Sequence, residues 1–433
     1  MLLDMCRGDL MKKNICILLL LMSYLVYGQD LEAFKNPYAA TIIGSTTMIS
    51  EFTSKKVPTK EYSIELAEGK KVPDNLWFHD KFKFSLVHQK GPAPLVFLLA
   101  GTGSSHNSGR MVNFQRILYD AGYHVISISS PLNSNFIVAG SSTKLPGLLM
   151  DDCKDVYNVM NAAYNHVKSK IDVLGFSVVG YSLGGTEAAF VSYIDEQEKK
   201  FNFEKIYMIN PAVDLYESAL VLDSYMGNGN EAGAKLMSMI DFITERGAEA
   251  LSNEYGGGLN EENIYRMFRE ANLTDEQMKG LIGFVFRVTS IDVNYTTDVL
   301  NNSKIYVNKP VKKFESTFQY FKKINFASFE DYLRKILFPM VQKQRNMNFD
   351  QLRKEVTLQK IEKYLKETNK IVAVTNRDEL ILNKKNIEFL EKTFGNRIII
   401  FPYGGHCGNM YFPENVQLML KYLNGGDFGN EKK

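Results

Sequence analysis

The chain is poor in the residues that build metal, redox and phosphate sites. Four cysteines and six histidines occur in 433 residues, and the one adjacent pair, His406-Cys407, has no further ligands beside it to complete a zinc set. Gly101-Thr102-Gly103 falls short of a dinucleotide fingerprint, and no glycine-rich lysine-serine loop for phosphate is present. No cofactor and no metal are therefore expected. Charge of either sign is also lacking in excess: 51 basic and 49 acidic side chains leave +2, so the chain as a whole projects no field that would gather nucleic acid or an anionic membrane. Its lysines fall in short clusters, Lys168 with Lys170, Lys199-Lys200, Lys312-Lys313 and Lys322-Lys323, which read as solvated faces.

Long apolar runs are absent too, with one exception. Ile15 to Val26 is apolar, follows Lys12-Lys13 and precedes Gly28, a small residue suited to cleavage, with Met11 as an alternative start. Residues 1–28 read as a signal peptide, which implies a periplasmic or secreted product. An uncleaved membrane anchor is the alternative, and after cleavage no stable membrane insertion is expected because no comparable segment follows. Cleavage removes Cys6 and Cys16, the latter without a small-residue lipidation context. Cys153 and Cys407 remain, enough for one disulfide if they meet in space.

What is present is core material and a rhythm. Apolar residues make up 45% of the chain, ample for an enzyme-sized body. Alternation over 46–52, 59–66 and 81–87 predicts early strands. Continuous apolar strands follow at 94–100, 124–129, 171–179 and 205–210, separated by helical periodicity at 109–120, 149–167 and 186–194. Such alternation fits a mostly parallel sheet covered on both faces, an α/β class fold, with the early strands at an antiparallel edge. From 215 to 345 the rhythm changes to helices, at 232–246, 261–270, 274–287 and 328–343, before strands resume at 370–375 and 397–401 and a helix closes the chain at 413–423. The organisation read from this is a first core part at 29–214, a helical cap inserted at 215–345, and a second core part at 346–433. Within the insertion Phe284, Phe286, Tyr295, Phe318, Tyr320, Phe321, Phe326 and Phe338 are candidates to line an apolar tunnel, or simply to hold helices together.

The feature that carries chemistry is Val178-Val179-Gly180-Tyr181-Ser182-Leu183-Gly184-Gly185. A serine at a sharp strand-to-helix turn sits in a sparsely populated backbone region, and the close approach of strand and helix demands nearly bare residues two before and two after it. Gly180 and Gly184 meet that demand, and Gly185 extends it. The Ser182 hydroxyl would also face the positive end of the following helix.

On this elbow and its flanking strand and helix the chain resembles the alpha/beta-hydrolase superfamily, over roughly residues 80–214 and 350–424. The resemblance implies a serine nucleophile, then an acid and a histidine later in that order. Asp378, just beyond a strand in Thr375-Asn376-Arg377-Asp378-Glu379-Leu380, is the expected acid, with Glu379 its nearest rival. His406 in Tyr403-Gly404-Gly405-His406-Cys407-Gly408-Asn409 is the expected base, and His106 a weaker one. The resemblance also implies an oxyanion hole from the backbone N–H of Leu183 and one from the loop after Ala100, Thr102 or else Gly103. That loop reads Ala-Gly-Thr-Gly, not the histidine-glycine form common in the superfamily. The implied activity is hydrolysis of a carboxylic ester through an acyl-enzyme, on a small-molecule acyl substrate. Peptide, amide and thioester substrates use the same machinery, and a non-catalytic binding protein on the same scaffold is the alternative of a different class.

Overall fold

The computed structural model describes residues 35–44, 57–66, 71–227, 233–235, 237–239, 241, 242, 245 and 273–428. The expected signal peptide, the strand expected over 46–52 and the helix expected over 261–270 lie outside the described residues, and the helix over 232–246 does so in part.

Eight strands form one sheet in the order β1-β2-β4-β3-β5-β6-β7-β8. They are β1 (Lys60–Ile64), β2 (Phe82–Val87), β3 (Ala93–Leu99), β4 (His124–Ile128), β5 (Val173–Tyr181), β6 (Lys205–Ile209), β7 (Ile371–Asn376) and β8 (Ile398–Phe401). β2 runs antiparallel to both neighbours, and every other pair is parallel. The antiparallel edge therefore lies where the alternating early segments place it.

The continuous apolar runs are explained by burial on two sides. In β3, Leu95, Phe97 and Leu99 join the core shared with the helices Leu149–Val167 and Leu183–Glu198, while Val96 and Leu98 join that of Gly109–Asp120 and Pro413–Leu423. A period of two sends alternate residues to opposite helix layers, so neither face can be polar. Phe97 is fully buried against the rings of Phe176, Phe201 and Phe203, and truncating such a residue to Ala costs about 3–5 kcal/mol. Cys153 and Cys407 belong to these two opposite cores and are both free, so no disulfide joins them.

Among the described residues between β6 and β7 the chain is helical, with only an isolated bridge between Asp214 and Thr357. These helices share a separate apolar core that includes Tyr295, Tyr320, Tyr332, Ile336 and Leu337. The long helix Asp275–Asn301 starts at a capping box between Thr274 and Gln277 and stops at Asn302 in the left-handed region. It outruns the expected end at 287 because its buried face is polar, which hides helical periodicity. Arg287 donates to the carbonyls of Phe326 and Gly227, and the Asp298 carboxylate accepts the N–H groups of Ile305, Tyr306 and Val307. The helix expected over 328–343 is interrupted by a π turn at Leu333–Leu337, which ends two positions before Pro339, a residue with no N–H to give the preceding turn.

Candidate active site

β5 ends at Tyr181 and a helix begins at Leu183, leaving Ser182 alone in the turn at φ 54°, ψ −126°. Backbone strain of this kind costs about 1–3 kcal/mol and persists only where neighbours enforce it. Here the Ser182 N–H donates to the Ile209 carbonyl of β6 at 2.8 Å, and the Ser182 carbonyl accepts from Gly185 at 2.9 Å. The glycines are required by contact: a Cβ on Gly180 would lie 2.0 Å from the Gly184 carbonyl oxygen, and one on Gly184 would lie 2.4 Å from that of Leu99. Gly185 is less constrained, its nearest contacts being 3.1 Å from the Gly180 and Ile209 oxygens.

His406 arrives on the loop after β8, and its Nε2 lies 2.9 Å from Ser182 Oγ. Both side chains are buried. The ring is set by three elements. Its backbone N–H donates to Thr41 Oγ1 at 2.8 Å, Gly404 and Gly405 before it and Cys407 after it adopt positive φ, and Asn376 Nδ2 donates to the Gly405 carbonyl.

The partner of His406 Nδ1 is Glu379, at 2.8 Å, and not Asp378. This corrects the expected acid. Asp378 instead accepts the N–H groups of Gly404 and Gly405 at 3.2 and 3.0 Å, holding the loop that carries the histidine. Both carboxylates follow β7 directly, but the glycine N–H groups capture the shorter one. Glu379 turns inward, where it also accepts from Asn210 Nδ2 at 2.6 Å and from the Ile381 N–H at 3.3 Å. Asn210, Asn376 and Thr41 were not singled out by sequence reasoning. The signal for Asn210 is its place directly after β6, beside the elbow.

Burial by itself pulls the His406 imidazole down, while the adjacent Cys407 sulfur and the Glu379 carboxylate push it up, and the net direction is up. The Cys407 Sγ lies 3.9 Å from Nε2. His106, the weaker candidate base, bonds elsewhere: its Nδ1 is 2.7 Å from Ser85 Oγ. Burial first, then nearby Lys83, lowers it to about 4 against an opposing pull from Glu61, so it is neutral near pH 7. What His106 does is anchor the loop after β3. Its backbone N–H donates to Ser129 Oγ at 2.8 Å, and its backbone carbonyl accepts from Gln115 Nε2, which also donates to Ser127 Oγ.

That loop brings Thr102 to the wall of the cavity onto which Ser182 and Leu183 open. Leu183 is the first residue of its helix, so its N–H has no acceptor within the helix. Gly103 is not on this wall. Its carbonyl accepts from Asn133, and a Cβ there would strike Thr289 of the long helix at 2.3 Å.

The cavity encloses about 830 Å³ of non-protein space, solvent at its mouth included, and its wall is almost wholly apolar. Leu215, Ala219, Leu222, Phe329, Leu333 and Leu337 contribute from the helices after β6. Of the described aromatic side chains that were candidates to line a tunnel or to hold helices together, only Phe286 reaches the cavity. Tyr295 and Tyr320 are buried in the separate apolar core to which the helices between β6 and β7 contribute, Phe284 and Phe338 pack against it, and Phe318 and Phe326 are exposed. The side chain of Phe321 lies outside the described residues. The aromatic residues that do line the cavity with Phe286 are Tyr216, Phe329 and Tyr332.

A parallel sheet with its second strand reversed, a strained serine between β5 and the next helix, and a histidine on the loop after β8 define one architecture. The chain has the alpha/beta-hydrolase fold. No protein-family model matches it, and no curated protein matches it in sequence. Among solved structures it is similar to brefeldin A esterase, a bacterial homologue of human hormone-sensitive lipase, with a TM-score of 0.42 and 12% identity over 89% of this chain and 84% of that one. Esterase B from Lactobacillus rhamnosis gives 0.40 and 10% over 88% of each chain. A fungal esterase from Rhizomucor miehei gives 0.40 and 12% over 88% of this chain and 90% of that one.

Proposed function

We propose that the chain is a serine hydrolase of carboxylic esters with an apolar acyl group. The observation that supports this reading best is the unbroken relay from Glu379 through His406 to Ser182, ending at the apolar cavity. Ser182 Oγ attacks the acyl carbonyl while His406 Nε2 takes its proton. Glu379 accepts the Nδ1–H bond, fixes the tautomer that leaves Nε2 free, and stabilises the imidazolium. The Leu183 and Thr102 N–H groups receive the negative charge of the tetrahedral oxygen. The imidazolium then protonates the departing alkoxide, and water releases the acid by the reverse proton path. An alkoxide is a good leaving group for this machinery, and a cavity with almost no polar wall favours a hydrocarbon acyl chain over a peptide.

The test is hydrolysis of a chain-length series of p-nitrophenyl acyl esters by the purified protein beside its Ser182→Ala variant. Turnover that vanishes in the variant is expected. Equal turnover by both would remove Ser182 from the mechanism. The basic pair and apolar run at the N-terminus further lead us to propose export, tested by whether mature protein from cells begins near residue 29.

A further inference from the structure

The near-balance of charge along the whole chain conceals an uneven distribution. Residues 304–323 contain six lysines and one glutamate. This basic segment connects the long helix Asp275–Asn301 with the helix Phe318–Ile324 and includes the start of the latter. It is fixed from beneath by Tyr306, Val307, Val311 and Tyr320, all buried in the separate helical core, and Leu76 of the short helical turn Asp74–His79 is buried in that same core. Asn75 of the turn donates to Tyr295 Oη at 2.7 Å. Both segments are thus bolted down by their inward residues.

Their outward residues are aromatic as well, and need another explanation. Phe314 is 87% exposed, Phe318 68%, and Trp77 and Phe78 47% each. Trp77, Phe78 and Phe314 form one patch: the Trp77 and Phe78 ring centroids are 6.0 Å apart, and Lys313 Nζ lies 4.1 Å from the Trp77 ring and 5.5 Å from that of Phe314. Lys304, Lys309 and Lys312 are exposed on the same connecting segment. Large aromatic side chains in water among cationic ones are not a folding requirement, since removing them would leave the core beneath intact. Amphipathic rings beside lysines match the headgroup layer of a bilayer, where rings enter the acyl boundary and ammonium groups meet anionic phosphates. The positive charge selects this partner over an uncharged apolar surface.

We propose that the face carrying Trp77, Phe78, Lys312, Lys313 and Phe314 is a peripheral docking surface for an anionic lipid bilayer. The rings bury reversibly at the headgroup level, and among the described residues no helix is long and apolar enough to cross a membrane. The surface is separate from Ser182 and its cavity, so the proposal stands or falls independently of the esterase reading.

The chain has a single tryptophan, Trp77, so its fluorescence reports on this patch alone. The chain from residue 29 onward, without the apolar run at 15–26 that would bind any bilayer, is mixed with vesicles of phosphatidylcholine, or of phosphatidylcholine with about one third phosphatidylglycerol, and followed by emission and co-sedimentation. A blue shift and sedimentation with the anionic vesicles are expected, both lost at about 0.5 M salt. Lys312→Glu with Lys313→Glu should weaken binding by about tenfold or more, and Phe314→Ser should weaken it too. Lys199→Glu with Lys200→Glu, on another face, should bind as the parent does. Thermal melting establishes that each variant is folded. No shift with anionic vesicles, equal binding to neutral ones, or binding unchanged in the folded Lys312/Lys313 variant each overturns the proposal. So does a concentration-dependent blue shift without lipid, which would assign the patch to a second copy of the chain.

Discussion

Replacing Glu379 with Gln should silence the site, whereas replacing its neighbour Asp378 with Asn should not. Glu379 presents two oxygens to two donors, His406 Nδ1–H and Asn210 Nδ2–H, at 2.8 and 2.6 Å. A glutamine of the same shape has one oxygen and no charge. If its amide group faces His406, the ring must accept at Nδ1 and carry its proton on Nε2, where it can no longer take one from Ser182. If Asn210 flips its own amide to compensate, the imidazolium still loses its counter-charge. An acid-to-amide change in a Ser-His-acid relay lowers kcat about 10⁴-fold, roughly 5 kcal/mol of transition-state stabilisation. A loss of about 10³–10⁴ in kcat/KM is therefore expected here. Asp378 accepts two backbone N–H groups, and asparagine keeps an oxygen for one of them. That change costs about 1–2 kcal/mol of local stability and less than about tenfold in rate. The assay is p-nitrophenyl ester hydrolysis at one chain length, with melting curves to establish folding. Equal losses in the two variants, or a larger loss for Asp378→Asn, would refute the assignment of Glu379.

Since His406 is held above its ordinary value and must be neutral to act as base, the acid limb of the kcat/KM profile should lie above about pH 6.5 and move down in Glu379→Gln; a limb at or below about 6.5 in the parent contradicts this. The same raised value means that the stability from the His406–Glu379 pair is fully present below about pH 6.5 and lost as pH rises through the folded-state value, which melting across pH would detect. Gly180→Ala should destabilise by more than about 3 kcal/mol or prevent folding, because its Cβ would meet backbone 2.0 Å away; an unchanged melting temperature would show the elbow to be looser than described. Ala219→Phe should shorten the longest ester accepted, since Ala219 lines the cavity, and an unchanged chain-length profile would place the acyl group elsewhere. His106→Ala, which removes the side-chain bond to Ser85 and keeps the backbone N–H bond to Ser129, should lower kcat more than it raises KM by loosening the loop that carries Thr102, with His106→Asn, which can replace the Ser85 bond, partly restoring it; equal rates in parent and His106→Ala would show that the backbone bonds alone hold the loop.

Much of the core architecture is written in short-range patterns. The helices over 109–120, 149–167 and 413–423 have the bounds expected from periodicity, and β3 and β7 fall within one residue of theirs. Ser182 was legible because a strained turn between close-packed elements leaves few residue types open at 180 and 184. His406 was placed by glycines that let its loop bend back toward the sheet. The long helix was underestimated because Arg287, Asn294 and Asp298 are buried by hydrogen bonds that no periodicity records. Of the two readings open for the aromatics of 284–338, packing holds for Tyr295, Tyr320, Phe284 and Phe338 and cavity lining for Phe286, because a ring at helical spacing does not reveal what its helix faces.

By itself the sequence determined the described core strands, several of the helices, the strained serine turn and the histidine that meets it, since each depends on residues a few positions apart. Only the tertiary structure decided between Asp378 and Glu379, drew Asn210 and Thr41 into the site, separated Cys153 from Cys407 across the sheet and placed the exposed rings of Trp77 and Phe314 beside one another. Those outcomes depend on where the ends of distant strands and loops come together. A one-residue difference in side-chain length or turn direction there sends a carboxylate to a backbone N–H or to the imidazole, and nothing local to the chain encodes which.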